Sequence, residues 1–420
     1  TTEAASPTGI YTLGGEIIPG YATSEGTQRY SERKGQQINP HAFGKSLSGL
    51  TLSKLGLGTY IGDPTVDHDK LMYDSVLSCV HSGGINVIDT AINYRYMKSE
   101  RTIGHALKHL VSEGYSRDEL FISSKGGYLS KDADRKDFSQ SQLTTLLNDK
   151  KISPDDIIAS SHCMHPAYLE EALHTSLDNL HLDTLDLYYL HNPAESQLAL
   201  IGENAFMDKL SRAFELLEKK RAEGKIRSYG IASWNCFRSP PTEEGVHLTL
   251  EKVVDNAKQV GGEHHGFKYI QLPVNAFMME AFGMSWQPIS KDKYIKDTRE
   301  IEKKYNLPET KLPADMGPTE NVSLLRAARI LGINVFTSSS LMQSKVVSNV
   351  LPSSVFRNLS SNAARHLLFL RSLPNECIVT NLVGMKTREH IEDNLSVIHT
   401  HNLDPREYFQ FIQSYKPANR

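Results

Sequence analysis

Short apolar runs recur along the chain from Leu55 onward, and most of them are separated by stretches with helical spacing of apolar residues. Eight runs are each long enough for one buried strand: LGLGTY, INVIDTA, LFISSK, TLDLYYLH, KIRSYGIAS, FKYIQLPVN, INVFTSSS and CIVTNLVGM. Strands that alternate with helices form parallel sheets, and eight of them close into a barrel. The sequence therefore predicts an α/β chain built as a single (β/α)8 TIM barrel. A doubly wound open sheet is the alternative, but no strand is followed by a GxGxxG turn and a helix.

The stretches between the runs predict amphipathic helices. Their apolar residues recur three or four positions apart, as one buried helix face requires. The predicted helices cover residues 69–82, 167–180, 205–222, 248–260, 321–331, 362–372 and 388–399.

Three segments fall outside the repeat. Residues 1–50 are rich in Gly, Ser, Thr and Pro, and we interpret them as an extended N-terminal arm that lies against the barrel of residues 51–420 or against a partner chain. Two long connections, 126–161 and 282–318, follow strands and are expected on the face of the barrel that carries active sites. We expect these two insertions to form the walls of a substrate pocket.

The bulk composition argues against several classes of function. The chain has 420 residues, of which 39% are hydrophobic and 23% charged, and its net charge is -3. These values are ordinary for a globular protein, and they argue against a nucleic-acid surface or a polybasic membrane anchor. No apolar run reaches the roughly 18 residues of a membrane span. The compartment stays open between the cytoplasm and the mitochondrial matrix, because a targeting segment could have preceded the Ala-, Ser- and Thr-rich start.

Cysteine and histidine spacing gives no sign of a metal site. The chain has four cysteines, far apart and without a CxxC pair, which favours a reducing compartment over a disulfide framework. His162 and His165 in HCMH have no evident third ligand nearby. The mixed-charge run DADRKD at 132–137 predicts an exposed, solvated loop.

Four polar side chains lie at or just after the ends of predicted strands, where barrel enzymes carry their catalytic groups. Asp89 ends the second strand, Tyr94 lies in the loop that follows, Lys125 ends the third strand and His191 ends the fourth. Each also has a structural interpretation, since a strand-end carboxylate can cap the next helix and a histidine can be satisfied in a core. Four such groups at one mouth favour an active site.

The segments around these residues resemble the aldo-keto reductase family. IDTAINYRYMKSERTIGHAL is similar to the family's signature around its catalytic tyrosine. SSKGG, LDTLDLYYLH, GKIRSYGIASWN, QLPVN and GMKTREHIEDNL resemble later landmarks of the family, in the same order. The resemblance runs from about residue 55 to residue 399. It implies a catalytic tetrad of Asp89, Tyr94, Lys125 and His191.

The implied chemistry is the reduction of an aldehyde or ketone by NADPH. A free tyrosine with a pKa near 10 is a poor acid at neutral pH. We expect the Lys125 ammonium to lower the pKa of Tyr94 towards the working range, with Asp89 holding the lysine in place. His191 would orient the substrate carbonyl, and Tyr94 would protonate its oxygen while the nicotinamide supplies hydride.

The same resemblance implies an NADP site. Ser233, Asn235 and Gln271 match the family's contacts to the nicotinamide carboxamide. Lys386 and Thr387 match its contacts to the 2′-phosphate, and Asn394 matches an adenine contact. Ser338 and His390 occupy further positions of the same site. Lys386 favours NADPH over NADH, because the 2′-phosphate needs a cation. Two positions depart from the family, since Ser338 stands where an aromatic ring is usual and His390 where Gln is common.

Two other functions remain to be weighed against an active reductase. A barrel of this family could serve as an accessory subunit, without catalysis, that docks a protein partner through its arm or insertions. A cofactor-free hydrolase or isomerase is disfavoured, because the sequence lacks a GxSxG elbow and a cluster of metal ligands. At the helix after Tyr94, we expect Ser99 to be the N-cap and Glu100 to favour the helix dipole.

Overall fold

A computed structural model describes residues 9–135, 138–313 and 315–415 of the chain. Its strands, in chain order, are β1 Phe43–Lys45, β2 Thr51–Ser53, β3 Leu55–Gly58, β4 Val87–Asp89, β5 Phe121–Gly126, β6 Leu185–His191, β7 Ile226–Ala232, β8 Phe267–Pro273, β9 Gln287–Ser290, β10 Thr319–Val322, β11 Asn334–Ser338 and β12 Ile378–Gly384. Its α-helices are α1 Ser24–Lys34, α2 Val66–His81, α3 Lys98–Ser112, α4 Phe138–Asn148, α5 Pro166–Leu180, α6 Pro193–Ile201, α7 Glu203–Ala222, α8 Leu250–Gly261, α9 Glu280–Gly283, α10 Lys291–Tyr305, α11 Leu324–Leu331, α12 Asn362–Arg371, α13 Arg388–Leu395 and α14 Pro405–Ser414. No helix in these ranges is long and apolar enough to cross a membrane.

Eight of the strands form a closed barrel in the order β11-β12-β3-β4-β5-β6-β7-β8. Every neighbouring pair in the ring is parallel. Each of the eight predicted runs contains one of these strands, so the prediction of a (β/α)8 barrel is confirmed. The strands are buried almost throughout, because side chains on one face fill the barrel and those on the other face meet the surrounding helices.

Aromatic side chains fill the amino-terminal half of the barrel. Phe121, Tyr269 and Phe336 pack with ring centroids 5.6–5.7 Å apart, and Tyr189 lies 6.3 Å from Phe336. Leu52 joins this cluster from β2 and is fully buried. The barrel is therefore a packed core at this end, and any site must lie at the opposite, carboxyl-terminal mouth.

The described part of the N-terminal arm packs on the barrel to which it belongs. The backbone N–H of Ala22 donates to Oδ1 of Asp186 at 2.7 Å, and Ile18 forms a parallel bridge with Leu182. The arm also carries helix α1 and the β1–β2 hairpin, so the expectation of an extended segment is wrong for these residues. Residues 1–8 of the predicted arm lie outside the described residues.

The charged run in the first insertion is not solvated. Asp132 and Asp134 are buried, and both carboxylates accept hydrogen bonds from the Arg101 guanidinium at 2.6–2.7 Å. The prediction of an exposed loop is wrong at these positions, because a helix from elsewhere in the chain supplies the countercharge. Lys136 and Asp137 of the same run lie outside the described residues.

Candidate active site

A buried ion pair connects the second and third strands of the barrel. Nζ of Lys125 donates to Oδ2 of Asp89 at 2.5 Å, to the carbonyl of Thr90 at 2.8 Å and to the phenol oxygen of Tyr94 at 3.2 Å. Lys125 is fully buried and the Asp89 side chain is 3% exposed. Because parallel strands end at the same rim, β4 and β5 bring the carboxylate and the ammonium together. The lysine thus bridges the carboxylate and the phenol.

The second oxygen of Asp89 is also satisfied. Its Oδ1 accepts from the hydroxyl of Ser123 at 2.7 Å and from the amide of Gln271 at 3.1 Å. A buried charge is stable only when its oxygens have such partners. Gln271, expected as a carboxamide contact, therefore supports the buried carboxylate of Asp89.

Burial dominates the protonation of Tyr94. The pKa of Tyr94 is raised by burial, and the opposing effect of the Lys125 charge is smaller. The expectation that Lys125 brings the pKa of Tyr94 towards neutral is therefore wrong. Tyr94 keeps its proton at neutral pH, and because its oxygen already accepts from Lys125, the proton is available to a ligand. Burial alone would lower the pKa of Lys125, but Asp89 and Tyr94 raise it, so the lysine stays charged.

His191 completes the cluster as a neutral ring. Its centroid lies 5.8 Å from that of Tyr94 and 5.0 Å from that of Tyr128, edge to face in both cases. Burial, with the Lys125 charge, holds the pKa of His191 well below its usual range. Its backbone carbonyl accepts from Nε2 of His162, whose Nδ1 in turn meets the amide of Gln197. His162, which the sequence analysis considered only as a poor metal ligand, therefore supports the end of β6 that carries His191.

The loop after Tyr94 is held in an unusual backbone conformation. Arg95, Tyr96 and Met97 are all left-handed, with φ of 52°, 54° and 73°. Such residues cost about 1–2 kcal/mol each unless surrounding contacts fix them. Buried Asp69 provides such contacts, because it pairs with Arg95 at 2.6 Å and with Lys98 at 3.0 Å.

The left-handed run also moves the start of the next helix. α3 begins at Lys98 with Met97 as its N-cap, and no side chain caps it. The predicted N-cap, Ser99, lies inside the helix and donates to the carbonyl of Thr59 at 3.0 Å. The Ser99 prediction is therefore wrong, while Glu100 does lie in the first turn.

A cavity of ≈ 1210 Å³ opens at the carboxyl-terminal mouth of the barrel. Its wall includes most of the predicted site residues: Asp89, Tyr94, His191, Ser233, Gln271, Ser338, Lys386, His390 and Asn394. Lys125, Asn235 and Thr387 do not line it. Lys125 lies behind Tyr94, and Thr387 instead caps α13 by accepting from the backbone of His390. The predicted catalytic and cofactor residues thus converge on one cavity, with these three set back from its surface.

The loops that line the cavity are mostly not the two insertions that were expected to form its wall. Of the described residues in the two insertions, Tyr128 lines the cavity, and none from 282–318 does. That second insertion packs outside the barrel, where Asp297 of α10 pairs with Arg326 of α11 at 3.0 Å; residue 314 is outside the described ranges. The segment 338–345 after β11 lies along the wall instead.

Aromatic side chains surround the end of the cavity where Tyr94 and His191 lie. Tyr60 packs edge to face on Tyr94 at 5.2 Å, and Tyr128 accepts from the side chain of Asn192 at 3.2 Å. Tyr60 and Trp234 are 60% and 47% exposed, which makes them the rim of the opening. Exposed aromatic rings at the mouth of a deep cavity are typical of a ligand-contacting surface.

One acidic residue near the site has no counterpart in the sequence-based predictions. Glu195 of α6 accepts four hydrogen bonds on one oxygen, all from the segment 233–236 after β7. In the sequence LHNPAES this glutamate stands four residues after His191, in the first turn of α6, and the sequence-based prediction had no helix there. Only folding brings it to the next strand of the barrel.

The fold is a closed (β/α)8 barrel, and comparisons with known proteins show which family part of the chain resembles. Residues 54–239 match the model of the aldo/keto reductase family. The NADH-specific methylglyoxal reductase of Escherichia coli is 29% identical over 189 residues, which are 44% of this chain and 49% of that protein. The D-threo-aldose 1-dehydrogenase of a Pseudomonas species is 33% identical over 189 residues, 44% of this chain and 51% of that protein. The resemblance to aldo-keto reductases is therefore confirmed, although the chain spans only about half the length of the curated relatives it matches.

Solved structures support the same fold over more of the chain. An aldo/keto reductase from Klebsiella pneumoniae in complex with NADP and acetate has a TM-score of 0.53 at 18% identity, covering 90% of this chain and 97% of that one. The holo form of an aldo-keto reductase from Bacillus halodurans gives 0.52 at 18% identity, covering 90% and 96%. At this level of identity the likeness is one of fold.

Proposed function

We propose that this chain is an NADPH-dependent reductase that converts an aldehyde or ketone to an alcohol. The observation that carries the proposal is the bridge made by Lys125, which contacts Asp89 at 2.5 Å and Tyr94 at 3.2 Å beside the ring of His191. A protonated phenol, a buried ammonium behind it and a neutral imidazole beside it form a site that polarises and protonates a carbonyl oxygen.

Each member of the cluster has one task in this mechanism. The neutral ring of His191 donates a hydrogen bond to the carbonyl oxygen and so fixes its position. Tyr94 gives its proton to the same oxygen, and the negative charge left on the phenol is stabilised by Lys125. Asp89 keeps the ammonium charged and aimed at the phenol. When bound in this cavity, a nicotinamide cofactor would supply the hydride to the carbonyl carbon.

The far end of the cavity fits a phosphorylated dinucleotide. Lys386 lies in the cavity wall, and among the described residues it forms no ion pair. Ser338, Ser339 and Ser340 add hydroxyl or backbone groups along the same side, and Asn394 is buried there. A phosphate would satisfy the lysine, which is why we favour NADPH even though one relative is named as NADH-specific.

The substrate end favours an uncharged carbonyl compound. Its wall comes from Tyr60, Tyr128 and Trp234, while Lys345 and Lys386 follow β11 and β12 on the cofactor side of the barrel. Lys125 is already occupied by Asp89. A phosphate or carboxylate on the substrate would find no cation among the described residues of this wall, so we expect neutral aldehydes, aromatic ones included, to be better substrates than charged ones.

The test is the loss of turnover in Tyr94→Phe. With NADPH and a panel of aldehydes, the variant is expected to lose about 10³-fold in kcat, because the proton donor is gone. Binding of NADPH, followed by fluorescence titration, should stay within about twofold of wild type. Tyr96→Phe is the matched control, since Tyr96 lies two residues away and is largely exposed. Equal turnover in wild type and Tyr94→Phe would refute the mechanism.

The alternative of an accessory subunit has lost one of its reasons. The described residues of the N-terminal arm pack on their own barrel, so no partner chain is needed to explain why the arm is ordered. If wild-type protein binds NADPH but shows no turnover, that result would favour the accessory-subunit alternative.

A further inference from the structure

A single carboxylate oxygen organises the loop after β7. Oε1 of Glu195 accepts from the hydroxyl of Ser233 at 2.6 Å and from the backbone N–H groups of Trp234, Asn235 and Cys236 at 2.9, 2.8 and 3.0 Å. The Ser233 oxygen in turn accepts from the N–H of Cys236 at 3.1 Å. Successive N–H groups that converge on one oxygen form an anion-binding concavity, and here the anion is part of the chain.

The negative charge of Glu195 is only partly offset, by the Arg238 guanidinium at longer range. No Lys, Arg or His within the described ranges forms an ion pair with it. Arg238, which braces the same loop through the carbonyl of Trp234, is paired with Glu280 at 3.0 Å. The other oxygen, Oε2, is buried and has no hydrogen-bond partner among the described atoms. A partly buried carboxylate that is held by dipoles, and only partly offset by Arg238, still exerts its field on whatever lies next to the loop.

Ser233 connects Glu195 to the cavity, because its hydroxyl is hydrogen-bonded to the carboxylate. It lines the wall, whereas Glu195 does not. Since its proton is committed to Glu195, the hydroxyl can act towards the cavity only as an acceptor, and it shares that role with Cys236, whose Sγ lies 2.9 Å away. The resemblance places Ser233 at the nicotinamide carboxamide, so an amide N–H₂ of the cofactor is the donor that suits it.

We propose that Glu195 is a positioning residue that makes the nicotinamide site bind oxidised cofactor more tightly, relative to reduced cofactor, than the loop would without it. The reason is charge: the oxidised nicotinamide ring is a cation and the reduced ring is neutral, so a nearby carboxylate stabilises only the former. The inference rests on the proposed function, because it needs a nicotinamide cofactor in this cavity. To the proposed function, the inference adds Glu195 as a residue that sets the relative affinities for oxidised and reduced cofactor.

A purely structural role for Glu195 predicts a different outcome. If the carboxylate only holds the loop, its loss would weaken NADP⁺ and NADPH alike. Glu195→Gln keeps an acceptor oxygen of the same reach and removes the charge. Glu195→Asp keeps the charge and shortens the reach to the loop. The two variants therefore separate the electrostatic effect from the structural one.

The experiment is a set of equilibrium titrations, with NADP⁺ and NADPH separately, on wild type and both variants. We expect Glu195→Gln to weaken NADP⁺ about fivefold more than NADPH, and Glu195→Asp to weaken both by similar factors. Glu215→Gln on α7, at an exposed glutamate, is the charge control and should change neither constant. A fivefold change in the ratio corresponds to about 20 mV in the potential of the bound two-electron couple.

The outcomes separate this inference from the proposed function. A Glu195→Gln variant whose two constants change by the same factor overturns the inference and leaves the proposed function standing. Wild-type protein that binds neither nucleotide overturns both. Melting temperatures of the variants show whether the fold has survived. If Glu195→Gln is unstable, Glu195→Asp and Glu195→Asn form a pair of equal reach that differs only in charge, and the ratio of the two constants should change only in Glu195→Asn.

Discussion

The pair Asp89–Lys125 offers a way to separate what stabilises this site from what makes it reactive. We consider three variants, Asp89→Asn, Lys125→Met and the double variant. Asp89→Asn leaves a fully buried ammonium without its carboxylate, and Lys125→Met leaves a carboxylate with a side-chain exposure of 3%. Each single change should lower the free energy of unfolding by about 3–5 kcal/mol, because removal of one partner strands the other charge.

The double variant should be more stable than the singles suggest. It removes both charges, so the remaining cost is the lost hydrogen bonds, such as the buried one from Lys125 to the Thr90 carbonyl at 2.8 Å. At about 1 kcal/mol for each such bond, we expect a total loss of about 1–3 kcal/mol. The coupling energy in the double-mutant cycle should therefore be favourable by several kcal/mol.

Turnover should not follow stability in this cycle. Without the ammonium, nothing stabilises the charge that develops on Tyr94, so the double variant should stay inactive while its fold recovers. Urea unfolding with a constant m-value measures the stability, and oxidation of NADPH measures turnover. Ser123→Ala is the matched control, since it removes one hydrogen bond to Asp89 and no charge, at about 1 kcal/mol. A double variant that loses the full sum of the two single changes would refute the reasoning, as would one that regains activity.

Two further predictions follow from other parts of the site. Lys386→Met should raise the dissociation constant of NADPH about tenfold or more and leave that of NADH nearly unchanged, because only the 2′-phosphate needs the cation; equal losses in titrations of both nucleotides would contradict the assignment. His162 is fully buried and burial lowers its pKa to about 4. Its contribution to stability is present above the unfolded pKa of about 6.5, and it declines as the pH falls from there towards 4, by about 2–3 kcal/mol. In His162→Gln the free energy of unfolding should fall less steeply across this window, and an unchanged slope in denaturation at several pH values would count against the assignment.

The local sequence was sufficient to predict the barrel and the core of its site. Each parallel strand is buried on both faces, so it appears as a continuous apolar run that needs no knowledge of its neighbours. The polar groups of the candidate site stand at the ends of these runs, as His191 and Lys125 do, and all strand ends of a parallel barrel meet at one rim. For this reason the position of a residue along a strand was enough to place it at the mouth.

Side-chain partners far away in the chain could be decided only by the tertiary structure. The arm forms a helix and a hairpin because the barrel gives them a surface, and Asp132 and Asp134 are buried because Arg101 lies opposite them. The pKa of Tyr94 depends on how strongly burial raises it and how strongly the Lys125 charge lowers it. The spacing of residues in the sequence gives neither of these two effects. Glu195 is the clearest case, since its four donors lie 38 to 41 positions later in the chain. Local pattern determines which segments form strands and where they end, whereas charges and hydrogen bonds act through space and depend on the packed structure.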